Sequence, residues 1–182
     1  MRLFTAIDIP DSLRNDLAAL QGADASAVRW SDPEQFHVTL RFIGDVSEEP
    51  SRRLSGYEEV LGEVDVAPVR CRPYGLDVLP SRRSPRVLML GLERTDSMMA
   101  LYNAVSDALE AEGLAPEDRT YRPHVTIARL NDADRDAVHD FLRAHSNQSF
   151  PTFEAEHFVL YESTRTPDGA IHEPLASYPL RP

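Results

Sequence analysis

A fold of mixed strands and helices in two similar halves is predicted by three features of the sequence. Strand-like and helix-like stretches alternate along the chain. The same order recurs after about 85 residues, and a His-Val-Thr triplet stands in the second strand of each half.

Residues 2–9 alternate as a strand and stop at Pro10. Asp11 then suits the N-cap of a helix with Leu13, Leu17 and Leu20 on one face. After a loop to Pro33, residues 36–43 form a second strand, broken by Gly44 and Asp45. Ser47, with Glu48, Glu49 and Pro50 in the first turn, opens a helix carrying Leu54, Tyr57 and Leu61. Residues 64–76 read as a strand interrupted by Pro68 and Pro73. The order then repeats. Residues 86–92 are strand-like, and Asp96 can cap a helix with Met98, Leu101, Tyr102, Val105 and Leu109 on one stripe. Residues 124–130 form the next strand, and Asp132 opens a helix with Val138, Phe141 and Leu142. Residues 153–161 form another strand, with a last extended stretch near Tyr178 to Leu180.

The repeat can be counted. Leu3 to Val87 spans 87 − 3 = 84, Asp11 to Asp96 spans 85, His37 to His124 spans 87, and Ser47 to Asp132 spans 85. Agreement within three residues predicts a single domain over 1–182 with an internal duplication, approximately 1–80 and 85–182. Two such halves can pack about a pseudo-twofold axis, so that equivalent residues meet across a shared groove.

Composition narrows the function. At 182 residues with 42% apolar content, the chain can bury one substantial core. No apolar run reaches the roughly 18 residues that span a bilayer, and the first residues do not suit a signal peptide, so a cytoplasmic protein is expected. Cys71 is the single cysteine, which excludes an internal disulfide and a cysteine zinc cluster. The net charge is −11, and all 19 basic residues are Arg. Such acidity suits a salt-adapted protein, since dense salt screens like charges within roughly 3 Å at about 1 M. It also disfavours broad coating of a polyanion. A few focused arginines could still bind one phosphate, which points to a small or terminal nucleotide.

The triplets are His37-Val38-Thr39 and His124-Val125-Thr126. Along a strand, His and Thr share one face while Val and the following Leu40 or Ile127 share the other. The apolar face is what a core needs, whereas an unpartnered hydroxyl or imidazole in a core costs about 1–3 kcal/mol. A lone strand histidine is ordinarily structural; the same polar pair in equivalent registers of both halves is not so explained. One neutral imidazole can take a proton from water while a protonated one gives a proton to a leaving ribose oxygen. Thr hydroxyls and nearby arginines can hold phosphate oxygens. Arg41 has the parity of His37 and Thr39, while Arg129 has the wrong parity for an ideal strand and needs a bulge or the strand end to reach the same face. Arg82, Arg83 and Arg86 form a local positive spot in a loop. Phe4, Trp30 and Tyr121 are stacking candidates that more often serve as core. His139 and His145 fall on or after a polar helix and are expected in solvent. His157 and His172, which lack a Thr two residues on, are read as structural.

With these residues in view, the chain resembles the RNA 2′,3′-cyclic phosphodiesterases, or 2′-5′ RNA ligases, of the two-histidine phosphoesterase superfamily. The resemblance runs through residues 2–10, 30–44, 85–91, 121–130 and 160–163. It implies an α+β, bilobal fold with antiparallel sheets lining a central cleft and helices outside. It also implies chemistry needing no metal and no cofactor, on RNA ends or nucleotides with a 2′,3′-cyclic phosphate, by a monomer without an obligate protein partner. The family opens the cyclic phosphate to a 2′-phosphate, and some members join it reversibly to a 5′-hydroxyl. Its catalytic residues map onto His37, Thr39, His124 and Thr126, and its phosphate-binding arginine onto Arg129. Three rival readings are a related enzyme acting on a small cyclic nucleotide or 2′-5′ oligonucleotide, a non-catalytic nucleotide-binding module, and a metallohydrolase. The last finds no carboxylate or third histidine spaced to complete a ligand set.

Overall fold

The longest apolar alternations pair into one antiparallel sheet in the computed structural model, which describes residues 1–22, 28–47, 49–131, 135–166 and 169–181. The elements are β1 (Arg2–Asp8), α1 (Asp11–Ala18), β2 (Val28–Trp30), β3 (His37–Asp45), α2 (Pro50–Gly62), β4 (Val69–Cys71), β5 (Pro73–Ser81), β6 (Ser84–Leu92), α3 (Asp96–Ala111), β7 (His124–Leu130), α4 (Arg135–Ala144), β8 (Phe153–Ala155), β9 (His157–Thr166) and β10 (Gly169–Pro179). The main sheet runs β10-β9-β1-β3-β7-β6-β5, with β2 also against β7; β4 and β8 make a separate pair.

β3 and β7 meet at one residue pair, Val38 opposite Val125. The sheet therefore consists of two wings joined at a narrow seam. Each wing draws strands from both halves of the sequence. The β3 wing is completed by β9 and β10, and the β7 wing by β2 and β5. The wings thus do not coincide with the sequence halves 1–80 and 85–182. The order strand–helix–strand–helix nevertheless occurs twice. Its starts are offset by 96 − 11 = 85 and 124 − 37 = 87 residues for the first helices and the motif strands.

The core lies between the sheet and its helices. Leu3, Ile7, Val38, Leu40, Leu90, Val125 and Ile127 are buried with the apolar stripes of α1 (Leu13, Leu17) and α3 (Met98, Leu101, Val105, Leu109). The α3 spacing of three and four residues keeps its stripe on one face. The expected caps shift by small amounts. Thr95, not Asp96, caps α3, because its Oγ1 accepts from the Met98 N–H at 3.2 Å. Asp11 occupies the first turn of α1 after Pro10, and α2 starts at Pro50, not at Ser47. The expectation for Asp132 lies outside the described residues.

The expected strand over 64–76 is two strands. After Arg72 the chain leaves β4, which pairs with β8, and enters β5, which pairs with β6. The expected strand over 153–161 divides at Glu156 in the same way, β8 going to β4 and β9 to β1 and β10. The loop at 80–86 is a tight hairpin, Ser81 pairing with Ser84. No described helix is long and apolar enough to cross a membrane.

Candidate active site

The seam sets the positions of the motif residues. Continuing the antiparallel register outward from Val38–Val125 sets His37 toward Thr126 and Thr39 toward His124, on the face opposite Val38 and Val125. The two histidines are then diagonal neighbours, at a spacing on the order of 7 Å, and each imidazole lies within electrostatic reach of the other. Val38 and Val125 are fully buried, while the four polar residues keep partial exposure.

Both imidazoles are oriented alike. Nδ1–H of His37 donates to the Gln35 carbonyl at 2.8 Å, and Nδ1–H of His124 donates to the Arg122 carbonyl at 2.7 Å. In the neutral ring this leaves Nε2 as the basic nitrogen. Nε2 of His37 accepts from the Thr39 hydroxyl at 3.1 Å. Burial pushes the His37 pKa down from 6.5 to about 4; the Gln35 carbonyl raises it, and the nearby His172 lowers it further. Burial also lowers the His124 pKa, opposed by its bond to the Arg122 carbonyl and reinforced by the charges of Arg122 and Arg129.

Directly after each triplet comes the same irregularity. Ala6 pairs with Thr39 and Thr5 with Arg41, leaving Leu40 as an extra residue. Met89 pairs with Thr126 and Leu88 with Ala128, leaving Ile127 extra. Each β-bulge reverses the alternation. Leu40 and Arg41 are therefore both buried, as are Ile127 and Ala128, and the next residue to emerge is Phe42 in β3 and Arg129 in β7.

The bulge at Ile127 turns Arg129 onto the His–Thr face, removing the parity objection. The bulge at Leu40 does the opposite to Arg41, which is 4% exposed. Its guanidinium donates to the Ala115 carbonyl at 2.6 Å and to Glu110 at 3.2 Å, and lies 3.5 Å from Glu117. Arg41 ties β3 to the end of α3 and the segment after it, and is not a phosphate ligand.

Other expectations resolve similarly. Phe4 is buried on the His face and not in the helix-side core, its ring 4.9 Å from that of His37, 4.8 Å from that of His172 and 5.3 Å from that of Tyr161. Tyr121 stacks on Tyr102 at 4.0 Å and donates to the Thr39 carbonyl at 3.0 Å, bracing the seam. Trp30 packs toward Phe141. His139 and His145 are partly buried and bond to the carbonyls of Arg82 and Phe141. His157 approaches Asp8 at 3.6 Å.

Three further residues lie at the site: His172, which the sequence reading takes as structural, and Phe42 and Tyr74, which it does not single out. His172, on β10, lies with its ring 5.1 Å from that of His37 and edge-on to it. Its backbone N–H donates to the Gln35 side chain at 2.7 Å. Phe42 is 54% exposed at the position equivalent to Arg129; the shared offset of five residues from each histidine was its only signal. Tyr74 lies across Gly91, the ladder partner of His124, in space that a Cβ at Gly91 would fill.

Two imidazoles, two hydroxyls and one guanidinium thus share one face of the two equivalent strands, with His124 near both His37 and Arg129. Such a set can move protons at two points and hold an oxyanion between them. Among the described residues no cluster of three or more His, Cys, Asp or Glu is arranged to hold a metal ion.

The sequence profile of the 2′-5′ RNA ligase superfamily matches residues 9–167, and the chain belongs to that family. An RNA 2′,3′-cyclic phosphodiesterase of Archaeoglobus fulgidus is 33% identical over 96% of this chain and 98% of its own. One from Methanocaldococcus jannaschii is 29% identical over 95% and 97%. Among solved structures, a Thermus thermophilus protein superimposes with a TM-score of 0.80 at 24% identity, covering 100% of this chain and 98% of its own. E. coli LigT complexed with 3′-AMP gives 0.76 at 22%, covering 98% and 97%. These last two likenesses are of fold.

Proposed function

We propose that the chain hydrolyses the terminal 2′,3′-cyclic phosphate of RNA to a 2′-phosphate. The observation that supports this reading is the single Val38–Val125 pairing, from which the antiparallel register carries one His and one Thr of each motif to a common face. The name and 33% identity of the Archaeoglobus fulgidus relative support the substrate class.

Both imidazoles are neutral in the free site. An arriving phosphate anion favours protonation of one of them. His37 resists a proton more, being the more deeply buried and lying beside His172, so the proton goes to His124. His37 Nε2 then accepts a proton from water as the water oxygen bonds to phosphorus. The bond from phosphorus to the 3′-oxygen breaks, and His124 protonates that oxygen. Thr39, Thr126 and Arg129 hold the non-bridging oxygens, and Phe42 offers an apolar face to the base or ribose. With an RNA 5′-hydroxyl in place of water, the same proton transfers form a 2′-5′ link.

On this reading the protein acts as a monomer inside the cell without a metal. The two strand–helix–strand–helix segments are a duplicated unit over 1–182, each copy supplying one motif. The lysine-free acidic composition fits a salt-rich interior. The test is incubation of an RNA ending in a 2′,3′-cyclic phosphate, with and without EDTA. A 2′-phosphate product at an undiminished rate in EDTA is expected. A 3′-phosphate product, or loss of rate in EDTA, would overturn the mechanism.

A further inference from the structure

The hairpin joining β5 and β6 carries Arg82, Arg83 and Arg86 within five residues, all exposed, on a chain of net charge −11. Arg82 pairs with Asp77 at 3.0 Å. No described residue pairs with the guanidinium of Arg83, Arg86 or Arg129, whereas Arg14, Arg41, Arg52, Arg72 and Arg119 lie against carboxylates. Among the described residues these three cations have no carboxylate partner and are exposed.

The hairpin tip is held in place. Arg122 donates to the Pro80 carbonyl at 3.2 Å, Arg135 to the Arg83 carbonyl at 3.3 Å, and His139 to the Arg82 carbonyl at 3.1 Å. These bonds occupy carbonyls of the tip and leave its guanidinium groups directed to solvent. They also link the tip to the site. Arg122 is the residue whose carbonyl orients His124, and Val87, next to Arg86, is the ladder partner of Arg129. Leu79 pairs with Val87 and Pro80 with Pro85, so Arg86 is itself an extra, unpaired residue of the strand. From Val87 to the strand's start at Ser84 is three residues, about 10 Å of strand, and Arg83 stands in the turn just beyond it. The basic surface continues into a cavity of about 440 Å³ between the hairpin and α4, lined by Tyr74, Arg82, His139, Arg143 and His145.

We propose that this hairpin is the binding track for the RNA strand on the 5′ side of the cyclic end, with Arg83 and Arg86 contacting its backbone phosphates. The inference rests on the RNA reading above. The cyclic phosphate closes the 3′ end of an RNA, so every further phosphate of the substrate leaves the site in one direction. Arg86 and Arg83, one and four residues beyond the ladder partner of Arg129 and without a described carboxylate partner, lie along such a path. A protein this acidic repels the remainder of a polyanion, so local cations decide whether an oligonucleotide is favoured over a mononucleotide.

The test compares wild type with the double variant Arg83→Ala/Arg86→Ala in two assays. In the first, fluorescence anisotropy follows binding of a 5′-labelled oligoribonucleotide ending in a 2′-phosphate across a KCl series. The variant is expected to bind about fivefold more weakly at low salt. Its plot of log affinity against log salt should lose about 1.4 in slope, roughly 0.7 for each of two phosphate contacts. Equal affinity and slope for both proteins, or no binding by wild type, would overturn the track. Charge reversal, Arg83→Glu/Arg86→Glu, should weaken binding further. In the second assay, turnover of a 2′,3′-cyclic mononucleotide should be the same in all three proteins. A wild type inert on both the mononucleotide and an oligonucleotide would count against the catalytic reading, while the anisotropy comparison would still decide the track.

Discussion

Replacing Arg41 and Arg129 by alanine, one at a time, separates the two faces of the motif strands. In an ideal strand Arg41 would share the face of His37 and Arg129 would not; the bulges at Leu40 and Ile127 reverse this. Loss of the 4%-exposed Arg41 guanidinium leaves Glu110 and Glu117 without their shared cation and removes the 2.6 Å donor to the Ala115 carbonyl. Breaking a fully buried pair costs about 3–5 kcal/mol. The two carboxylate side chains keep 31% and 25% exposure, and Glu117 keeps Arg119 at 3.0 Å, so water and that second cation recover part of this. A cost of about 2–3 kcal/mol remains, a fall in Tm of roughly 5–10 °C for a domain of this size. Activity per folded molecule should change little. Arg129, exposed and without a described partner, should show the opposite pattern on replacement: Tm within about 2 °C of wild type and kcat/KM down about 100- to 1,000-fold. Thermal denaturation by circular dichroism and steady-state kinetics on a cyclic-phosphate substrate measure both. An Arg41→Ala protein with wild-type Tm and a hundredfold loss of kcat/KM would refute the bulge argument.

His172→Ala should raise the His37 pKa from about 4, by removing a neighbouring imidazole charge and admitting water; the His37 ring proton shift in an NMR titration reports it. The same depressed value predicts acid sensitivity. The folded pKa of His37 lies below the ordinary 6.5, so its contribution to stability is complete above about pH 6.5 and is lost as pH falls toward 4. It amounts to at most about 3.5 kcal/mol. Urea unfolding across that range measures it, and His37→Gln should flatten the profile. The charge of −11 predicts that Tm rises with KCl into the molar range, and a melting series that stays flat would count against salt adaptation.

Legibility in the sequence followed the range of the interactions. The helices and long strands show their period, and the stripe of α3 was read residue by residue. A bulge announces itself only as a failure of alternation, so Arg41 was expected on the wrong face and Arg129 needed the family likeness. The duplicated order of elements was countable, but the exchange of strands between wings was not. It depends on β9 returning to β1 and on β5 folding back along β6. The same return brings β10, and with it His172, beside His37. Nothing local to residue 172 marks that contact. The boundaries at Arg72 and Glu156 were blurred for a related reason, since β4 and β8 are defined only by pairing with each other.

The most direct test of the two-histidine site is the single-turnover rate on an RNA ending in a 2′,3′-cyclic phosphate, for wild type, His37→Ala, His124→Ala and the double variant. Both single variants should lose at least about a thousandfold while keeping the wild-type circular dichroism spectrum. The double variant should be little slower than either, because the two groups act in one step. A single variant that retains most of the wild-type rate would contradict the account.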